Sequence, residues 1–189
     1  MCMVIVMSIL MFFLVVFIFA CSILLLFTNW YNEFQNCVIR LNEAEANIDS
    51  VLRKRFDLLN KSINIIKTNA ELDDNEEVLG DIVKLRSRKL SNFELDRKLY
   101  DSINEFQNYK EKYEQLKTCE SYLKIEIALN DSEAEVYACR NYYNDIVTRY
   151  NKLVRSFPSN ILAFLLHYKE KTYFDGKDMN DDIKNDFKL

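Results

Sequence analysis

The sequence predicts an all-α protein: an N-terminal transmembrane helix, then a helical bundle with a long first helix and a short C-terminal helix. Three observations carry that reading. The first 27 residues, MCMVIVMSILMFFLVVFIFACSILLLF, hold no charged side chain, no Gly and no Pro. Beyond them, apolar residues recur at steps of three and four, the period of a helix. The 189 residues contain only two glycines and one proline, too few breakers for a hairpin-rich or nucleotide-binding α/β chain.

As a helix the apolar run spans roughly 40 Å, against a hydrocarbon core of about 30 Å, so it crosses a bilayer with some tilt. A cleaved secretory signal would need a basic start, a shorter apolar stretch and small residues at the cleavage site. Here no Lys or Arg precedes the run, and Phe19 stands where a small residue is needed. Ala20-Cys21 offers lipidation of Cys21 as an alternative, but the chain stays apolar past Cys21, which a tethered lipoprotein does not require. Residues 1–28 are therefore read as an uncleaved anchor in the lipid bilayer. Arg40, Arg53, Lys54, Arg55 and Lys61 all follow the anchor, which favours a cytoplasmic bundle with the N-terminus outside. Cys37, Cys119 and Cys139 lie beyond the anchor, an odd number without metal-type spacing, as expected of reduced thiols.

Residues 29–174 form the predicted bundle, and residues 175–189, DGKDMNDDIKNDFKL, a polar tail of mixed charge predicted to be disordered. The first bundle helix carries a stripe of Phe34, Val38, Leu41, Ala44, Ile48, Leu52, Phe56, Leu59, Ile63 and Ile66. With no breaker before Gly80, the membrane helix is free to run straight into it, with Trp30 and Tyr31 at the membrane interface. ELDDNEE (Glu71–Glu77) reads as a turn and a helix start, and a second helix runs to about Leu90. Ser91 and Glu94 have the spacing of a capping box and open a third helix bearing Phe93, Leu99, Ile103, Phe106 and Tyr113. The fourth helix steps 3, 4, 3, 4 through Tyr122, Ile125, Leu129, Ser132, Val136, Cys139, Tyr143, Ile146, Tyr150, Leu153 and Phe157. That is a seam packed on neighbouring helices. Pro158 ends it, since proline lacks an N–H and disfavours helix at the preceding residue. ILAFLLHY is then a short helix, apolar nearly all round and so expected to be buried across an end of the bundle.

RNYYNDIVTRYNKLVRSFPSN (Arg140–Asn160) resembles the C-terminal signature of the LemA family, R-x-Y-Y-N-x-x-V-x-x-Y-N closing on F-P-x-N. NIDSVLRKRFDLLNKSI (Asn47–Ile63) resembles the family's upstream I-D-x-x-L-(K/R)-R-R-x-D-L segment. With the anchor, the similarity covers about residues 1–165. Two departures stand out: Asn60-Lys61 replaces the family's Pro-Asn, and ELDDNEE replaces a His-Glu near the first turn. The resemblance implies an antiparallel four-helix bundle on a single membrane helix, bacterial, without enzymatic activity.

Composition excludes several functions. The net charge of −4 leaves no basic footprint for nucleic acid, and Gly80 and Gly176 stand alone, so no Gly-rich turn cradles phosphate. The one histidine, His167, sits in an apolar stretch and reads as a buried or half-buried structural residue. A carboxylate di-metal site needs two Glu-x-x-His pairs, and Phe164 occupies the place three before His167. No catalytic residue, metal or cofactor is expected. Arg140, Asn144 and Asn151 share an edge of the fourth helix. Their amides either fix register by bonding a neighbouring helix or a tyrosine hydroxyl, with Asp49 or Asp57 pairing Arg140, or line a polar groove for a peptide or small ligand. Arg53, Lys54 and Arg55 lie roughly 39 Å beyond the anchor on a continuous helix, far outside a Debye length of about 8 Å, so they suit a solvated face or an acidic protein partner better than lipid. The reading is a non-enzymatic scaffold or adaptor for an unknown protein partner; the alternative is a peptide or small-ligand sensor. A homo-oligomer is compatible with either.

Overall fold

The computed structural model describes residues 2–72, 77–85 and 90–174, and no strand occurs among them. The predicted polar tail and Arg86–Lys89 lie outside the described residues. Helix α1 runs without a break from Cys2 to Asn69, 68 residues, or roughly 100 Å at 1.5 Å per residue. The apolar run and the first bundle helix are thus one element. Its end is a turn in which Glu71 takes a left-handed conformation (φ 52°) and the Leu72 N–H reaches back to the Lys67 carbonyl. Short α2 (Gly80–Leu85) follows the acidic stretch rather than beginning in it. Helix α3 (Asn92–Lys112) opens on the predicted capping box, with Ser91 and Glu94 each accepting the other's backbone N–H. A five-residue helix, α4 (Glu114–Thr118), precedes α5 (Glu120–Arg155) and α6 (Ser159–Leu165).

The chain divides into two compact units, Met1–Leu41 with Ile146–Thr172, and Asn42–Asp145 with Tyr173–Leu189. In the first, Phe34 is fully buried, edge-on to Tyr150 at 5.9 Å and tilted over Tyr168 at 4.9 Å. Gln35 Nε2 donates to the Tyr168 hydroxyl at 2.9 Å, and Arg149 Nε to Glu33 Oε1 at 2.9 Å. In the second, α3 and α5 run antiparallel, since Asp96 meets Arg140 while Phe106 meets Tyr122. Those two rings stack at 4.3 Å, and the Tyr122 hydroxyl donates to the Phe106 carbonyl.

The buried face of α1 departs from the apolar stripe in an instructive way. Within the second unit it runs Ala44, Ile48, Leu52, Arg55, Leu59, Ser62, Ile66. Phe56 and Ile63, expected in the core, are only half-buried. A helix buries positions, and the three-and-four step from Leu52 to Leu59 lands on Arg55. On α5 the seam holds from Tyr122 through Tyr143 in one unit and through Tyr150 in the other, although Cys139 and Leu153 are half-buried. It fails at its last member: Phe157 is 80% exposed, because α5 stops at Arg155 and the helical period no longer directs the chain.

Helix α6 corrects two further expectations. Only its inner side, Ser159, Leu162 and Ala163, is buried; Ile161, Phe164 and Leu165 are exposed. His167 is exposed rather than buried. It takes the left-handed position (φ 58°) of a Schellman turn, in which the Tyr168 N–H bonds the Ala163 carbonyl and the His167 N–H the Phe164 carbonyl. This turn sends the chain into a non-helical strap, Tyr168–Phe174.

Candidate functional site

The second unit has a charged centre. Arg55 of α1 is 1% exposed, Asp96 of α3 2% and Arg140 of α5 7%. Arg140 Nη2 donates to Asp96 Oδ2, and Arg55 Nη1 stands 4.0 Å from Asp96 Oδ1. Arg55 is further held by the Ser132 hydroxyl, at 2.8 Å from Nε, and by the Glu133 carboxylate, which is partly exposed. Two guanidinium groups therefore meet two carboxylates across three helices, and the cluster is formally neutral. Burial pushes the Asp96 carboxyl above its ordinary value, while Arg140 and Arg55 pull it back down and Glu133 adds to the rise. Arg140 Nε and Ser102 Oγ are buried without a hydrogen bond.

The asparagines do different work. Asn144 Nδ2 donates to the Phe174 carbonyl at 3.1 Å, and its Oδ1 accepts the Phe174 N–H at 2.7 Å. In the other unit, Asn151 Nδ2 donates to the Lys171 carbonyl at 2.8 Å and its Oδ1 accepts the Lys171 N–H at 2.9 Å. Each amide thus takes both polar groups of one strap residue, which point the same way only when the backbone is near-extended. Seven helical residues rise about 10.5 Å and three extended residues cover about 10 Å, so amides at i and i+7 suit every third residue of such a strap. Phe174 is 4% exposed: its ring stacks on Phe93 at 4.2 Å, meets Tyr143 edge-on at 6.3 Å and lies 5.4 Å from the Arg140 guanidinium carbon.

These contacts settle what each candidate touches. Arg140 pairs with Asp96, not with Asp49 or Asp57; Asp49 is taken by Arg53 at 2.7 Å. The asparagines bond the strap backbone, Asn144 at Phe174 and Asn151 at Lys171. The basic triplet splits, because consecutive helical residues point about 100° apart. Arg55 enters the core and is not partner-facing, whereas Arg53 and Lys54 stay exposed and line a shallow depression with Ser50, Asp57, Leu58 and Lys61. Lys54 Nζ also bonds Glu135 at 2.9 Å. Among the described residues no group of three or more His, Cys, Asp or Glu side chains is placed to hold a metal ion.

Sequence reasoning passed over Asp96, Glu133 and Phe174. Asp96 had a signal: it lies three before Leu99 and three after Phe93, on the inner face of α3. Phe174 had little, being one aromatic residue at the edge of a polar tail.

The amide grips are separable by experiment. Asn144→Ala should abolish hydrogen-exchange protection at the Phe174 amide, and Asn151→Ala at the Lys171 amide, each costing about 1–2 kcal/mol for two lost backbone bonds. Unchanged protection at both amides would show that the strap is held by other contacts.

Comparison with known proteins agrees with the sequence signature. The profile of the LemA family matches residues 44–187. Protein LemA of Metamycoplasma hominis is 31% identical over 156 residues, covering 78% of this chain and 67% of that protein.

Proposed function

The chain belongs to the LemA family, and from that premise we propose that it is a non-enzymatic, single-pass membrane protein whose helical bundle serves as a scaffold or adaptor for protein partners at the bacterial membrane. The observation that carries this reading is the continuity of α1, whose apolar stretch is long enough to cross a bilayer and passes into the bundle without a break. The buried charges support it too: Arg55, Asp96 and Arg140 pair with one another inside the second unit. Arg53 and Lys54, exposed beside a depression, are the partner-facing cations, and they suit an acidic protein surface.

The test is recovery of partners by the tagged full chain from solubilised membranes. Wild type should retain a specific partner that the double charge reversal Arg53→Glu, Lys54→Glu loses; a chain that recovers nothing specific overturns the reading. Orientation is checked on Cys119, which is half-exposed. Burial pushes the Cys37 and Cys139 thiols up, so both should react slowly. A cytoplasmic bundle requires that an impermeant maleimide leave Cys119 unlabelled until cells are permeabilised.

A second reading is favoured by one observation. Asn144 and Asn151 recognise strap backbone, and such recognition extends to other peptides of suitable conformation. As a sensor, the protein would exchange its own strap for a peptide ligand.

A further inference from the structure

Helix α6 leaves its most apolar side in water. Phe157, Ile161, Phe164 and Leu165 are all exposed, Phe164 by 86%, and Ile161, Phe164 and Leu165 share one face at i, i+3 and i+4. Nothing polar breaks this face, while the opposite side is already buried.

The helical register within the first unit says what lies beside it. Glu33 bonds Arg149 and Phe34 packs on Tyr150, so α1 and α5 lie side by side here. Further along the same two unbroken helices Lys54 bonds Glu135, so numbers fall on α5 as they rise on α1 and the helices run antiparallel. Six residues on from Arg149, roughly 9 Å along the axis, α5 ends at Arg155. Six residues back from Glu33 stands Phe27, the last residue of the apolar run, and it is half-buried. The chain returns at Tyr168, which meets Phe34 and Gln35. The elbow from Ser156 to His167, α6 included, is therefore level with the end of the apolar run. Trp30 and Tyr31 come just after that run, and such rings favour the membrane interface, so the end of the run lies at the headgroup region.

Charge points the same way. The first unit carries six basic side chains (Arg40, Arg149, Lys152, Arg155, Lys169, Lys171) against two acidic ones (Glu33, Glu170), in a chain whose net charge is −4. Basic side chains beside an apolar face are the composition of a helix lying in a membrane interface.

We propose that the α5–α6 elbow is a second membrane contact, with Phe157, Ile161, Phe164 and Leu165 seated in the interfacial layer of the bilayer that α1 crosses. The inference rests on α1 being a membrane span, and the experiment separates the two. The full chain is reconstituted in phosphatidylcholine vesicles brominated either near the headgroup or near the acyl-chain ends. Native Trp30 reports the anchor, and a Trp30→Phe, Phe164→Trp variant reports the elbow; residue 164 is exposed, so tryptophan there displaces nothing. The apolar face of an interfacial helix sits about 5–10 Å into the headgroup and acyl boundary, so shallow bromines should cut emission from position 164 roughly twofold or more, and deep bromines less. Quenching of Trp30 without quenching at position 164 overturns the elbow and leaves the anchor standing. Quenching of neither removes the anchor, and the elbow with it. Shielding at position 164 that grows with protein density, without bromine quenching, means a second copy covers the face and also overturns the proposal.

Discussion

Asp96→Ala should cost the folded chain about 3–5 kcal/mol, a large share of what a domain of this size holds in reserve. The carboxylate is the ion partner of Arg140 and faces Arg55, and both arginines are buried. Arg55 would keep Ser132 and Glu133, but Arg140 would be left with the Phe174 ring. A buried cation whose partner is removed retains its desolvation penalty with no compensating attraction, which is why breaking such a pair costs more than the pair contributed.

Asp96→Asn separates charge from hydrogen bonding. Burial already pushes the Asp96 carboxyl up, so its charge is opposed by its surroundings, and much of its value is as an acceptor for Arg140. The amide oxygen keeps that acceptor, and Asp96→Asn should cost only about 1–2 kcal/mol. The sign of the pH dependence follows from the same shift. A carboxyl whose native pKa is raised binds its proton more tightly in the folded state. Its contribution is therefore complete below the ordinary value of 3.8 and falls as pH rises through the native pKa. Mild acid should not unfold the protein through this group. Denaturant titration of the two variants from neutral to acid pH checks both points; an Asp96→Asn loss equal to that of Asp96→Ala would show that charge, not the acceptor, holds the cluster.

Hydrophobic patterning was enough to read the helices, because burial imposes the three-and-four step wherever two helices meet. The seam from Tyr122 to Tyr150 follows from it, while the unbroken α1 was legible in the lack of a breaker before Gly80 and the capping box in the Ser91–Glu94 spacing. The polar centre was harder to see for the same reason. Arg55, Ser62 and Asp96 occupy seam positions, but a scan for apolar residues slides to Phe56 and Ile63 on α1 and steps over Asp96 from Phe93 to Leu99 on α3. Pairing is less legible still. Asp49 and Asp57 lie near the right segment of α1, yet the partner of Arg140 comes from α3, and only the packing of three helices brings it there. The strap was illegible because its bonds are to backbone, whose chemistry is the same at every residue. Asn144 and Asn151 therefore stood out in sequence as a pair without disclosing what they hold.

Phe174→Ala should be the most disruptive change in the strap, at about 3–5 kcal/mol if the vacated site cannot collapse. The ring is nearly fully buried and stacks on Phe93. Removing it takes the aromatic cover from Arg140 while the Asp96 pair stays in place, so the loss is one of packing, with the ion pair intact. Phe174→Leu tests that division: it restores most of the apolar volume but not the ring contacts, and should recover all but about 1–2 kcal/mol. The decisive distinction is between local release and global loss. If Phe174 is an integral part of the core of the second unit, Phe174→Ala lowers the denaturation midpoint and speeds trypsin cleavage after Lys171 together. If the strap is a separable cover, cleavage quickens while the midpoint holds, since regions that open locally do so at a lower free energy than the whole. The burial of Phe174 against residues from both α3 and α5 favours the first outcome, and a midpoint unmoved by the alanine would refute it.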